Sequence, residues 1–238
     1  MHPPRTMGAT RIDGNACGAA VEAALAERIA ALPSPPHLAV VIVGNDPASH
    51  VYVGAKERAC ARLGIRSTRI DIAADAEYAE VVATVQRLNA DPDVNGILVQ
   101  SPLPSGMDEI AITDLIDPIK DVDGFHAQNL GRLVQGDASG LLPCTPAGVM
   151  RMLEWAEVDL SGKRAVVIGR SRIVGMPQSL LLAQKGADAT VTIAHSRTAD
   201  MAALCREADV IIAAVGRSNM VTSDWVKPGA TVIDVGVN

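Results

Sequence analysis

Aromatic side chains are scarce in this chain: two Trp, two Tyr and one Phe among 238 residues. A core without aromatics has to be assembled from Ala, Val, Ile and Leu, which suits helices packed on both faces of a parallel sheet. Long apolar runs are also missing. No stretch approaches the ~20 residues that cross a bilayer, and the start, MHPPRTMGAT, has no apolar segment of the secretory kind. A membrane partner is therefore not expected. Basic charge is in deficit, with 21 Lys and Arg against 27 Asp and Glu, a net charge of −6. That excludes the broad basic surface of a nucleic-acid binder. An anionic small ligand stays compatible, because a helix N-terminus binds phosphate even on an acidic protein. Cysteine is sparse and scattered. Cys17, Cys60, Cys144 and Cys205 form no C-x-x-C pair and no Cys/His cluster, so neither a zinc site nor a redox motif is expected, and no metal. They read as buried free thiols in a reducing compartment, the cytoplasm.

What the chain does have is 48% hydrophobic residues in a repeating order. Residues 16–32 place Val21, Leu25, Ile29 and Leu32 at helical spacing before a proline cluster. Short apolar runs at 38–43 and 96–99 read as strands, and 67–72 as a further strand between them. Helical stretches at 48–63 and 81–88 lie between them, the first stopped by Gly64. The alternation predicts an α/β fold of βαβ units and a parallel sheet. Residues 117–145 break the pattern, being rich in Asp, Gly and Pro, and read as a long irregular segment of functional or linker character. Thr145 and Pro146 look like an N-cap and first helical residue. The alternation then restarts, with strands at 164–168, 190–194, 209–215 and 230–235 and helices at 174–185 and 198–206. Two α/β domains with parallel sheets follow, 1–146 and 147–238, the second Rossmann-like, with the active-site cleft between them. The chain stops directly after a strand, which suggests that a C-terminal covering segment is missing.

The second domain opens with a nucleotide signature. The apolar strand 166–168 runs into Gly169, followed by Arg170, Ser171 and, after three more residues, Gly175 and a helix. Such a turn offers free backbone N–H groups to a pyrophosphate. Ser171 replaces the second glycine of the usual pattern and the last glycine comes one residue late. The next strand ends in His195, Ser196 and Arg197 with no carboxylate to bind ribose hydroxyls. Ser196 and Arg170 suit a 2′-phosphate, so NADP is favoured over NAD.

The first domain carries the chemistry. Ser49, Tyr52 and Lys56 share one helical face. A lysine desolvated in a cleft can serve as acid or base near neutrality, although Tyr and Lys four apart also occur on plain exposed helices. Gln100 ends a strand at the sheet's carboxyl edge, where ligands of open α/β sheets bind. Asp121 and Asp123 sit in the segment KDVDG. A carboxylate there can accept two adjacent N–H donors of a ligand, or it can simply close a turn. The five histidines are scattered, and none sits in a Ser or Cys arrangement that suggests a hydrolytic triad.

These segments, taken in order as VGNDPASHVYVGAKERACARLGI, GILVQSPLP, PIKDVDGFH, PCTPAGV, VVIGRSRIVGMP, TVTIAHSRT and VIDVGVN, resemble the bifunctional methylene-tetrahydrofolate dehydrogenase/cyclohydrolase family over nearly the whole chain. The resemblance implies a small-molecule folate substrate, NADP as cofactor and a homodimer. It implies that Lys56 is the acid–base residue of the cyclohydrolase step. Tyr52 stacks on the folate, Gln100 hydrogen-bonds the lysine, Asp123 binds the pterin ring, and Ser49 lies near the same cleft. Gly169, Arg170, Ser171 and Ser196 are the implied cofactor contacts, with Val237 beside the nicotinamide. Ser101 departs from the family's usual Leu. The family also continues past Asn238 with a loop that lines the cleft and a final helix. Other expectations open to a chain of this layout are a two-domain NADP dehydrogenase of the shikimate dehydrogenase type and a non-catalytic nucleotide-binding protein.

Overall fold

The computed structural model describes residues 8–236. It contains two parallel sheets joined in series. The first has the order β2-β1-β3, built from β1 (His37–Val43), β2 (Arg66–Ile72) and β3 (Gly96–Val99). Alternate residues of β1 enter separate cores. Ala39, Val41 and Val43 pack with Val81 and Val85 of α3 (Tyr78–Ala90), while Val40 and Ile42 pack with Val53 of α2 (Pro47–Leu63). Both faces are covered, which is why the strand reads as an uninterrupted apolar run. Each fully buried Val or Ile of this kind contributes about 1.5–3 kcal/mol.

α1 (Gly14–Ala30) precedes this unit and packs against both α2 and α6 (Cys144–Trp155). It begins two residues earlier than its apolar pattern suggests, because the Asp13 carboxylate accepts from the N–H groups of Asn15 and Ala16. It stops at Ala30, leaving Leu32 exposed.

The second sheet has the order β5-β4-β6-β7, from β4 (Arg164–Ile168), β5 (Thr190–Ala194), β6 (Val210–Ala213) and β7 (Thr231–Asp234). One face packs on α6 and on α7 (Gly175–Ala183) through Val149, Leu153 and Leu182. The other packs on α8 (Met201–Glu207) and the short 3-10 turn Ser223–Trp225 through Cys205 and Trp225. In each sheet the first strand is flanked by strands two and three. The chain therefore reverses direction beside β1 and again beside β4, and each reversal opens a crevice at the carboxyl edge.

The segment 117–145 is more ordered than its composition suggests. It holds α5 (Ala127–Gln135), and a short α4 (Glu109–Thr113) precedes it. The N-cap of α5 is His126, whose Nδ1 accepts from Gln128 N–H, so no Ser, Thr or Asp marks the start. The expected N-cap at Thr145 is also displaced: α6 begins at Cys144, with Pro143 as its N-cap. Pro146 falls within the first turn, where its missing N–H has no intrahelical partner to lose.

Candidate active site

α2 is set by Asp46, which accepts from Ser49 N–H at 2.8 Å, and by Pro47 in its first turn. It ends at Gly64 in the left-handed conformation. This places Tyr52, 46% exposed, and Lys56 along one wall of a cleft of about 830 Å³. Gln100 follows β3, and its backbone N–H still donates to Val41 O at 2.9 Å, so the side chain is held at the sheet's carboxyl edge. Lys56 Nζ donates to Gln100 Oε1 at 3.1 Å, and Gln100 Nε2 donates to the Ser101 carbonyl at 2.7 Å. Nζ is the donor in this contact, so the amide turns its oxygen to the lysine. The Lys56 hydrogen bond thus goes to Gln100 and not to Tyr52.

The two carboxylates of KDVDG separate. Asp121 is buried, and its Oδ2 accepts from His126 N–H at 2.8 Å and from Asn129 Nδ2 at 2.9 Å, tying the loop to α5. Asp123 faces the cleft instead. Burial pushes its carboxyl above the ordinary range; the nearby Lys56 charge offsets part of this, and Asp121 adds to it. Gly124 closes the turn at φ +71, and a Cβ there would overlap the Leu142 carbonyl and Pro143 N. Only glycine allows KDVDG and PCTP to lie backbone to backbone. Lys120, the cation of that segment, donates to the carbonyls of Leu88, Asn89 and Asp91 at 3.2, 2.8 and 2.8 Å, closing the end of α3.

Ser49 does not line the cleft. It is 3% exposed, and its hydroxyl donates to the Ser101 carbonyl at 3.3 Å from behind the wall. Three cysteines are buried as expected, but Cys144 is exposed and borders the cleft. Its residue surface is open while its thiol is crowded, donating to Val122 O at 3.1 Å. Desolvation, with the Asp123 carboxylate beside it, pushes that thiol up to about 11. Phe125 and Ile173 also line the cleft. Neither has a sequence signal: Phe125 comes from the loop after Asp123 and Ile173 from the turn before α7. Among the described residues, no three His, Cys, Asp or Glu side chains gather as a metal site requires.

Across the cleft lies the second crevice, at the end of β4. Gly169 has φ +119, and a Cβ on Gly175 would overlap the Gly169 carbonyl and Arg170 N. The first turn of α7 therefore sits directly on the strand end, with its N-terminal amides next to the turn. Ser171 Oγ accepts from the N–H groups of Val174 and Gly175 at 3.2 and 3.3 Å, holding the loop in shape. Arg170 and Ser196 are both exposed, at the ends of β4 and β5. A bare main-chain turn flanked by an arginine and a serine fits a dinucleotide with an extra phosphate. Val237 lies outside the described residues.

Comparison with known proteins agrees with this geometry. Residues 12–123 match the family model described as tetrahydrofolate dehydrogenase/cyclohydrolase, catalytic domain, and residues 143–238 match its NAD(P)-binding domain. The bifunctional protein FolD of Acidiphilium cryptum (strain JF-5) is 57% identical over 232 residues, covering 98% of this chain and 82% of the relative. The solved structure of the bifunctional FolD enzyme, a methylenetetrahydrofolate dehydrogenase/cyclohydrolase, from Campylobacter jejuni superposes with a TM-score of 0.93 at 44% identity, covering 96% of this chain and 82% of that one. The Trypanosoma brucei dehydrogenase-cyclohydrolase, solved with NADP cofactor and an inhibitor, gives 0.91 at 37% identity, over 96% and 79%. Shikimate 5-dehydrogenase of Thermus thermophilus gives 0.52 at 14% identity, over 83% and 78%, a likeness of fold alone.

Proposed function

Because this chain belongs to the tetrahydrofolate dehydrogenase/cyclohydrolase family, we propose that it oxidises 5,10-methylene-tetrahydrofolate with NADP⁺ and hydrolyses the methenyl product to 10-formyl-tetrahydrofolate. The observation that carries this reading is the Lys56–Gln100 hydrogen bond of 3.1 Å in a cleft shared with Asp123 and facing the Gly169 turn. We divide the chain at Pro146, with a folate-binding domain of residues 1–146 and a cofactor domain of residues 147–238.

The Asp123 carboxylate accepts the adjacent N–H donors of the pterin ring, and Tyr52 covers the ring face. Gly169, Ser171 and the α7 N-terminus take the pyrophosphate, while Arg170 and Ser196 take the 2′-phosphate. NADP, when bound, supplies the hydride acceptor. Val237 is assigned beside the nicotinamide on the resemblance alone. For that step the protein contributes alignment of two ligands held by different sheets. In the second step Lys56 accepts a proton from the water attacking the methenyl carbon. It returns one to N5 as the carbon–N5 bond breaks, so that one proton is released overall. Gln100 fixes Nζ through a neutral carbonyl, without the charge a carboxylate partner would bring. Ser49 braces the Ser101 carbonyl behind it.

We place the enzyme in the cytoplasm, as its four free cysteines suggest, and assign it a homodimer from the family resemblance. Among the described residues no helix is long and apolar enough to cross a membrane. The test is incubation with 5,10-methylene-tetrahydrofolate and either NADP⁺ or NAD⁺, following reduced cofactor and formyl product. The expected result is NADPH formation with 10-formyl product, and slower turnover with NAD⁺. Silence with both cofactors contradicts the reading.

A further inference from the structure

One side chain of the cofactor turn reaches into the opposite domain. Arg172, half-buried, lies between Gly169 and Gly175. Its Nη2 donates to Glu109 Oε1 at 3.3 Å, and its guanidinium carbon lies 5.8 Å from the centre of the Phe125 ring. Glu109 opens α4, just after the loop that follows β3, and the same carboxylate oxygen accepts from Ser101 Oγ at 2.5 Å. The Ser101 carbonyl in turn accepts from Gln100 Nε2 and from Ser49 Oγ. Phe125 is two residues beyond Asp123. A single arginine of the nucleotide turn therefore holds both first-domain loops, the one that carries Gln100 and the one that carries Asp123.

We propose that Arg172, with Glu109 and Ser101, is a latch that positions the nucleotide turn against the folate cleft for hydride transfer. The inference rests on the bifunctional reading above and deepens it. The two activities place different demands on this contact. Hydride transfer joins ligands held by separate sheets, and reacting atoms must come within about 3–3.5 Å, so a displacement of ~1 Å is costly. The hydrolytic step uses Lys56, Gln100 and Asp123, all in the first domain. A stabilising role alone is a poor explanation for the pair. The side chains are 30% and 37% exposed, and ion pairs so open to water contribute little to folding.

The experiment measures both activities in Arg172→Met, which keeps an apolar chain near Phe125 and removes the charge, and in Glu109→Gln. The expected result for Arg172→Met is a fall of about tenfold in dehydrogenase kcat. Its KM for NADP⁺ and its hydrolysis of supplied methenyl-tetrahydrofolate should stay within about twofold of wild type. Arg172→Lys should recover part of the loss, and the double variant should be no worse than the poorer single one, because the two residues act through one contact. Wild-type dehydrogenase kcat in Arg172→Met overturns the latch, as does a parallel loss of both activities. Failure of the underlying reading is visible separately, as a wild-type chain with neither activity.

Discussion

In the proposed sites, Lys56, Gln100 and Asp123 offer side-chain atoms to the folate, whereas Gly169 and Gly175 offer bare main chain to the nucleotide. The first lies between α2 and β3, with Gln100 at the carboxyl end of that strand, and the second lies at the carboxyl end of β4. They would bind by opposite means because the proposed ligands differ. A folate ring has a directional edge of donors and a carbon that reacts with water, which calls for placed titratable groups. A pyrophosphate is a diffuse anion that the amides of a helix N-terminus bind without side chains. The cleft should therefore be sensitive to removing atoms and the turn to adding them.

The largest expected effect is at Lys56. Lys56→Met should lower methenyl-tetrahydrofolate hydrolysis by roughly 10²–10⁴-fold, the usual contribution of a positioned acid–base group. Cofactor binding, measured by titration calorimetry, should be retained. Next is the opposite manipulation. In Gly175→Ala the added methyl group meets the Gly169 carbonyl, an overlap worth about 1–3 kcal/mol. If the turn gives way, the NADP⁺ Kd should rise about 10- to 100-fold, with hydrolysis of supplied methenyl substrate kept. Equal losses of both activities in either variant would break the contrast between side-chain and main-chain sites.

Asp123→Asn sharpens it, because function and stability should move in opposite directions. Loss of a charge-assisted pair of hydrogen bonds should weaken folate binding by about 10- to 100-fold. Burial raises the Asp123 carboxyl above its unfolded value, so the folded chain holds that proton more tightly. The resulting cost to stability is absent below the unfolded carboxylate value. It sets in as pH rises between the unfolded and folded values and is complete above the folded one. Asp123→Asn should therefore raise Tm near neutrality, with the gain fading in acid; melts at both pH values check it, and a gain that grows in acid contradicts the sign. The smallest effect on chemistry belongs to Lys120. Its three carbonyl partners make it structural. Lys120→Met should lower stability by about 2 kcal/mol in a denaturant titration, while both activities per folded molecule are kept.

The central strands were legible because burial on both faces leaves continuous apolar runs, as in 39–43 and 165–168. The turn at Gly169 was legible because a close backbone approach demands glycine at fixed spacing. α4 and α5 were not. α4 has only five residues, too few for a periodic pattern although Asp108 caps it, and α5 is capped by a histidine and carries an internal glycine. Helical spacing grouped Ser49 with Lys56, but it cannot tell a cleft wall from its buried backing, and Ser49 lies behind. Likewise Asp121 and Asp123 are equivalent in the sequence KDVDG. Only the docking of α5 makes one a structural anchor and leaves the other in the cleft. Arg172 carries no signal at all, since its partners come from α4 and from the loop after Asp123.

The most direct test of the account is the rate at which the wild-type chain hydrolyses supplied methenyl-tetrahydrofolate above the enzyme-free background, with and without NADP. If the hydrolytic groups are all side chains of the first domain, hydrolysis proceeds without cofactor at a rate within a few-fold of that with it. Hydrolysis that depends on NADP would contradict the separation of a side-chain site from a main-chain one.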